Sequence, residues 1–187
     1  MKSITKEEIA VFDIEEYKGR IYIVDTQAKA DRAADYLSKF NNIGFDTETR
    51  PSFKKGHLNE VALIQLATND RCYLFRLNKI GFPLSLIKVL SDVNILKIGL
   101  SLKDDFTKIS RRMKFTPKGF VDLQKIISQH DISDIGLQKI YAILFQKRIS
   151  KGQQLSNWEA EELSNSQKKY AALDAWACLR IYEKLFE

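Results

Sequence analysis

The sequence predicts a layered α/β domain, and three observations carry that expectation. Two runs rich in apolar and β-branched residues, Val61–Ala67 and Cys72–Phe75, are separated only by a short polar turn at Asn69-Asp70, the mark of an antiparallel hairpin. Beyond the hairpin, short strand signals alternate with helical spacings, as parallel crossover units require. The chain then closes with a stretch free of Gly and Pro from Gln167 to Phe186, where Leu173, Ala177, Ile181 and Leu185 recur every four residues. Hairpin first and crossovers afterwards describe a mixed sheet covered by helices.

Thr5 and Glu8 have the spacing of a capping box ahead of a short amphipathic segment, and Lys18-Gly19 follows as a turn. Ile21–Val24 is a strand candidate, and Ala30, Ala33, Ala34, Leu37 and Phe40 give helical spacing from about Lys29. The next strand, Ile43-Gly-Phe-Asp-Thr-Glu48, begins apolar and ends in two acids. After the hairpin come a helix near Leu84–Leu90, a strand at Ile95–Leu100 and a helix near Lys103–Arg112. Phe120-Val121 is a short strand before a helix at Leu123–Gln129, and Leu137, Ile140, Tyr141 and Leu144 define another helix. A polar loop reaches Trp158, and Ser164 with Gln167 forms the capping box that starts the last helix.

At 187 residues the chain fits one domain, 1–187, with its core from about residue 20. Hydrophobic content of 44% and charged content of 29% are those of an ordinary globular protein. No apolar run approaches a membrane span, and the opening residues lack a signal-peptide core. The two cysteines, Cys72 and Cys178, have no metal or redox spacing and read as buried thiols, so a cytoplasmic location is expected. A net charge of +6 is compatible with a polyanionic partner without requiring one.

Where the acids fall is more informative. Asp46 and Glu48, two apart on a strand, project from the same face and repel unless protons or a cation lie between them. They form either a solvated strand end or a site for a hard divalent cation. Asp105 lies near the start of a helix that follows a strand, where α/β sheets bind ligands, with Asp104 as its neighbouring competitor. Asp122, directly before a helix, reads as an N-cap. Tyr170 and Asp174, four apart, share a helix face as a core pair or part of a site.

Taken in order, FDTET, GLSLKDD and YAALD resemble the three motifs of the DEDD exonuclease family in its tyrosine-bearing subclass, the group of the Werner-type exonuclease domains and ribonuclease D. VALIQLA, the Ser156-Asn-Trp158 loop and the Gln167 to Tyr182 helix extend the likeness from about Asn42 to the end. The resemblance implies a ribonuclease H-like mixed sheet flanked by helices, and removal of nucleoside 5′-monophosphates from a nucleic-acid 3′ end. It implies catalytic roles for Asp46, Glu48, Asp105, Tyr170 and Asp174, the four acids holding two divalent cations, Mg²⁺ or Mn²⁺. Asp46 would bridge both ions, Glu48 and Asp174 would hold one, Asp105 the other, and Tyr170 would orient the attacking water. The register selects Asp105 over Asp104. The histidine subclass is a poor match, because His57 and His130 are remote from Asp174 in sequence.

Thr47, Phe53, Lys54 and Lys55, in or just after the first motif, are the expected substrate-binding residues. Lys147, Lys151, Lys168 and Lys169 either widen a basic surface or serve solubility, and Trp158 is expected to pack near the site. Gly44 and Gly99 are expected to permit close packing, and both histidines to lie at the surface. The expected partner is a nucleic acid with a 3′ end, DNA ahead of RNA, met by a monomer away from membranes. Ribonuclease D-like RNA processing and a silent end-binding module are the competing readings.

Overall fold

The computed structural model describes residues 1–52 and 59–187. In chain order its elements are helix α1 (Lys6–Ala10), strand β1 (Arg20–Val24), α2 (Gln27–Leu37), β2 (Asn42–Thr49), β3 (Val61–Ala67) and β4 (Arg71–Arg76). There follow α3 (Leu77–Ile80), α4 (Leu84–Ser91), β5 (Leu96–Gly99), α5 (Leu102–Arg112), β6 (Phe120–Asp122), α6 (Leu123–Ile126), α7 (Leu137–Phe145) and α8 (Asn165–Phe186). The six strands form one sheet in the order β1-β4-β3-β2-β5-β6. Strand β3 runs antiparallel to both neighbours, β2 and β4, while β1–β4, β2–β5 and β5–β6 are parallel pairs. This is the expected mixed sheet of ribonuclease H-like proteins, with helices on both faces.

Each face buries its own core. On one, α2 and α4 cover Ile43, Phe45, Ile64 and Leu66; Leu102 and Ile109 of α5 join the same cluster. On the other, α7 and α8 pack on Leu63, Ala67, Leu74 and Ile98. Period-two alternation divides β2 between these layers. Ile43 and Phe45 point to the first, so Gly44, Asp46 and Glu48 point toward α8.

Gly44 sets how near α8 comes. A Cβ there would stand 1.9 Å from the carbonyl oxygen of Ala175, so the helix backbone lies directly against the strand. Both capping boxes form. Ser164 Oγ accepts from Gln167 N at 3.2 Å while Gln167 Oε1 accepts from Ser164 N at 3.0 Å, and Thr5 with Glu8 does the same for α1.

Several boundaries differ from the sequence reading. The segment expected as one helix over 123–129 is α6 followed by a single 3-10 turn, Ile127–His130. Helix α2 stops at Leu37, where Ser38 caps it, rather than at Phe40. The turn α3 was not expected. His130 is half-buried with its ring against Phe186, centroids 5.3 Å apart, rather than free at the surface. His57 lies outside the described residues. Both cysteines are buried free thiols. No helix among the described residues is long and apolar enough to cross a membrane.

Candidate active site

Parallel strands bring their carboxyl ends to one edge of the sheet, and a cleft of about 740 Å³ opens there. Asp46 and Glu48 form its floor from the end of β2, where the β2–β3 register shifts between Glu48 and Thr49. Such a bulge ends regular pairing and re-aims side chains beside a site. From α8, Asp174 and Tyr170 enter the cleft one turn apart. Carboxylate oxygens of Asp46, Glu48 and Asp174 all lie within 4.8 Å of one another.

Asp105 arrives from the other layer. It is buried with Leu102 in the first turn of α5, 8% exposed, whereas Asp104 faces solvent. It lies outside the 4.8 Å group, and the Thr47 hydroxyl donates to its carboxylate. Thr47 alternates away from Asp46, toward the layer that holds α5, so this hydrogen bond ties β2 to α5 over the end of the sheet. The start of α5 depends on Asp122. Ser101 is left-handed at φ 62° and offers no side-chain cap. Instead the Asp122 carboxylate accepts from Ser101 N and Leu102 N, each at 3.0 Å, as well as from Gln124 N at 3.0 Å in its own helix. The expected N-cap of α6 therefore also caps α5 and fixes where Asp105 points.

Burial raises the proton affinity of every acid in this set, and repulsion from the neighbouring acids adds to it at Asp46 and Glu48. Burial first, then the charges of Asp174 and Asp105, push Asp46 well above the usual carboxylate range. Burial, then Asp46 and Asp174, push Glu48 up to about 10. Asp174 rises to about 7 by burial, against the Tyr170 hydrogen bond and Lys151, which pull it down. Asp105 rises to about 6 by burial, with Thr47 and Lys108 opposing. Tyr170 is raised by burial and by Asp174, so its hydroxyl stays protonated and donates to that carboxylate. A cluster of oxygen donors that resists ionisation by itself is stabilised in its charged form by a hard divalent cation, and the donor set fits one.

Behind the site, Gln167 Nε2 reaches Ser156 Oγ at 3.0 Å and the Asn157 carbonyl at 3.1 Å, which seats the loop carrying Trp158. Trp158 is fully buried with its ring 6.0 Å from that of Tyr170, as packing near the site requires. Phe53, Lys54 and Lys55 lie outside the described residues. Of the other lysines named from sequence, Lys151 lines the cleft, Lys147 pairs with Asp13, and Lys168 and Lys169 do not reach the cleft.

Sequence reasoning passed over two features. Lys108, one turn beyond Asp105, lines the cleft and lowers the proton affinity of Asp46, Glu48 and Asp105; its i+3 spacing from Asp105 was the available signal. Gln65 of β3 lies opposite Asp46 of β2 and is fully buried, and among the described residues neither of its amide atoms has a hydrogen-bond partner. A lone amide inside the otherwise apolar VALIQLA run was its signal.

A mixed sheet with an all-carboxylate cleft at its parallel ends, walled by cations, defines a nuclease of the metal-dependent, ribonuclease H-like class. The chain belongs to the 3′-5′ exonuclease domain family, whose model matches residues 21–187; DEDD members of that family depend on divalent metal. The mouse bifunctional 3′-5′ exonuclease/ATP-dependent helicase WRN is 33% identical over 155 residues, covering 80% of this chain and 11% of that protein. A 3′-5′ exonuclease of Arabidopsis thaliana is 30% identical over 185 residues, covering 90% of this chain and 64% of that protein. This chain thus spans less than two thirds of either relative. Among solved structures, the Aedes aegypti Nibbler exonuclease domain superposes with a TM-score of 0.81 at 23% identity, covering 99% of this chain and 91% of that one. Escherichia coli RNase D superposes with a TM-score of 0.80 at 22% identity, covering 89% of this chain and 44% of that one. These structural likenesses carry the fold.

Proposed function

We propose that the chain hydrolyses nucleic acid from the 3′ end and releases nucleoside 5′-monophosphates, with Asp46, Glu48, Asp105 and Asp174 holding two divalent cations, Mg²⁺ or Mn²⁺. The observation that carries this reading is the convergence of three carboxylates within 4.8 Å, from a strand and a helix far apart in sequence. Family membership supports the polarity of the reaction. When bound, such cations activate a water and stabilise the leaving 3′-oxygen in an in-line displacement. Asp46, Glu48 and Asp174 supply oxygen donors on one side. Asp105, held by Thr47, supplies the donor from the α5 side. The Tyr170 hydroxyl, kept protonated, is the group that orients the attacking water, and Lys108 and Lys151 offset negative charge gathered on the reacting phosphate.

DNA is the proposed substrate, as the resemblance of the Ser156-Asn-Trp158 loop to the Werner-type domains implies. RNA is the second reading, favoured by the Trypanosoma brucei RNase D complex with RNA, which superposes with a TM-score of 0.77 at 21% identity. All the acids come from one chain, which suits a monomer, and the residues matched by the family suit a single domain over 1–187 with its core from about residue 20. Two buried free thiols suit the cytoplasm.

The test incubates 5′-labelled single-stranded DNA and RNA with the protein and Mg²⁺ or Mn²⁺. Stepwise shortening from the 3′ end is expected, lost on chelation and restored by fresh metal, and lost in Asp46→Ala while that variant still melts cooperatively. Undiminished hydrolysis in excess chelator sinks the reading. Binding of ends with no cleavage under any metal returns the silent-module reading.

A further inference from the structure

The residues before β1 precede the stretch matched by the exonuclease family, yet they are fastened to the cleft. Lys2 and Ile14 make isolated parallel bridges to Ile132 and Arg148. Ile4 N donates to Asp134 Oδ2 at 2.9 Å, Arg148 Nε to the Phe12 carbonyl at 2.9 Å, and the Tyr141 hydroxyl to Glu15 Oε2 at 2.9 Å. This strap is tied at both ends, with α1 between the ties at the rim of the cleft. Helix α1 buries none of its residues, so core packing does not account for its position. What it adds there is Lys6 and Ile9, both lining the cleft.

The charges on this wall are sorted. Asp134, which anchors Ile4, also pairs with Lys139 at 2.8 Å, so that cleft-lining cation is already neutralised. Glu8 is occupied by Thr5 in the capping box. Lys6 of the strap, Lys151, and Lys108 and Arg111 of α5 also line the cleft, and among the described residues none of these four has an ion pair. The buried acids gather in the cleft, and cations without an ion pair among the described residues share its lining with Asp104. Phosphates along a strand leading into the site need such cations, and only its reacting end needs the acids.

We propose that the N-terminal strap is a substrate-binding wall. Lys6 contacts a backbone phosphate of the strand leading to the scissile bond, and Ile9 offers an apolar surface to the adjoining sugar or base. This rests on the exonuclease reading above, extending it to nucleotides beyond the reacting one. Lys6 is exposed at the first position of a short helix, so its loss leaves the core intact.

The experiment compares wild type, Lys6→Ala, Lys6→Glu and, as a control, Lys39→Ala, which removes an exposed cation away from the cleft. Each is assayed with Mn²⁺ on a long single-stranded oligonucleotide and on the p-nitrophenyl ester of thymidine 5′-monophosphate, which fills only the reacting position. For Lys6→Ala, KM on the oligonucleotide is expected to rise about two- to fivefold, the worth of one exposed ion pair, with kcat unchanged. The salt dependence of binding should become shallower by about 0.7 in log–log slope, the share of one single-strand phosphate. Lys6→Glu should raise KM further, while the ester is cleaved at the wild-type rate by all four proteins. Wild-type KM and salt slope in both Lys6 variants overturn the proposal, as does an equal loss in the Lys39 control. Slower ester cleavage also overturns it, placing Lys6 at the reaction centre. If wild type cleaves neither substrate, the exonuclease reading fails and takes the proposal with it.

Discussion

Gly44→Ala separates the position of the last helix from the chemistry of its acids. The added Cβ would meet the Ala175 carbonyl oxygen at 1.9 Å and its carbon at 2.7 Å. Both are backbone atoms, so no rotamer change relieves the clash, and α8 must withdraw from β2 by about 1 Å because a close-packed interface has no slack. Overpacking of this kind costs about 1–3 kcal/mol. Stability of roughly 5–15 kcal/mol tolerates that, so the variant should fold, melting about 2–12 °C lower at 2–4 °C per kcal/mol. Asp174 immediately precedes Ala175 and moves with it, away from Asp46 and Glu48. A misplacement of about 1 Å at a reacting centre costs on the order of 100-fold in rate. The assay is kcat on a single-stranded oligonucleotide, well below the variant's melting point, beside a thermal melt. Gly152→Ala is the control, since its Cβ would meet nothing nearer than Ser150 Oγ at 3.4 Å. A lowered melting point with wild-type kcat would refute the argument that Gly44 places Asp174.

Stability without metal should depend on pH in a stated direction. Asp105, Asp174 and Glu48 have folded-state values of about 6, 7 and 10, above the usual carboxylate range, so the folded state keeps protons that the unfolded state has released. Their contribution is therefore present at acid pH and lost as pH rises through those values. The melting point in chelator should fall between mildly acid and mildly alkaline pH, and saturating Mn²⁺ should remove most of that slope. A melting point in chelator that rises with pH over the same range would count against the acid cluster. Asp105→Ala should abolish turnover while Asp104→Ala keeps most of it, since only the former faces inward; the reverse result in a steady-state assay would mean that the register is wrong. Tyr170→Phe keeps the half-buried ring and removes the hydroxyl that donates to Asp174, so single-turnover hydrolysis should slow by about 100-fold with the melting point nearly unchanged. A wild-type rate with stability lower by about 1 kcal/mol would leave Tyr170 a structural role only.

Most of the sheet was legible because its signals are local. The hairpin is written in two apolar runs and a short turn, and α8 in a four-residue stripe with a capping box. The misplaced boundaries lie at helix ends, where the last turn tightens or frays: Ser38 caps α2 after Leu37, and α6 passes into a 3-10 turn after Ile126. The motif acids could be named in sequence, but their division into two layers could not. That Asp105 sits apart from the other three follows from the alternation of β2, which sends Asp46 toward α8 and Thr47 toward α5. Gln65 stands out in sequence as a lone amide in an apolar run, but its place opposite Asp46 came only from register. The strap contacts, such as Ile4 to Asp134, join residues 130 positions apart and leave no periodic trace.

The arrangement explains how one helix serves both core and site. Along α8, Ala171, Ala175 and Cys178 are small and buried. Small residues let the backbone come close to β2, and that closeness brings Asp174 among the strand acids. Larger side chains would bury more apolar area, each methylene worth about 0.8 kcal/mol, but would push the helix outward. Leu173, Ala177 and Ile181 instead anchor the helix in the layer it shares with α7. Repulsion within the acid cluster acts against that packing whenever the carboxylates ionise. Substitutions that enlarge Ala171 or Ala175 should therefore weaken Mn²⁺ binding, read by titration calorimetry, and lower the melting point together, since the same close approach of α8 to β2 serves both the cluster and the core.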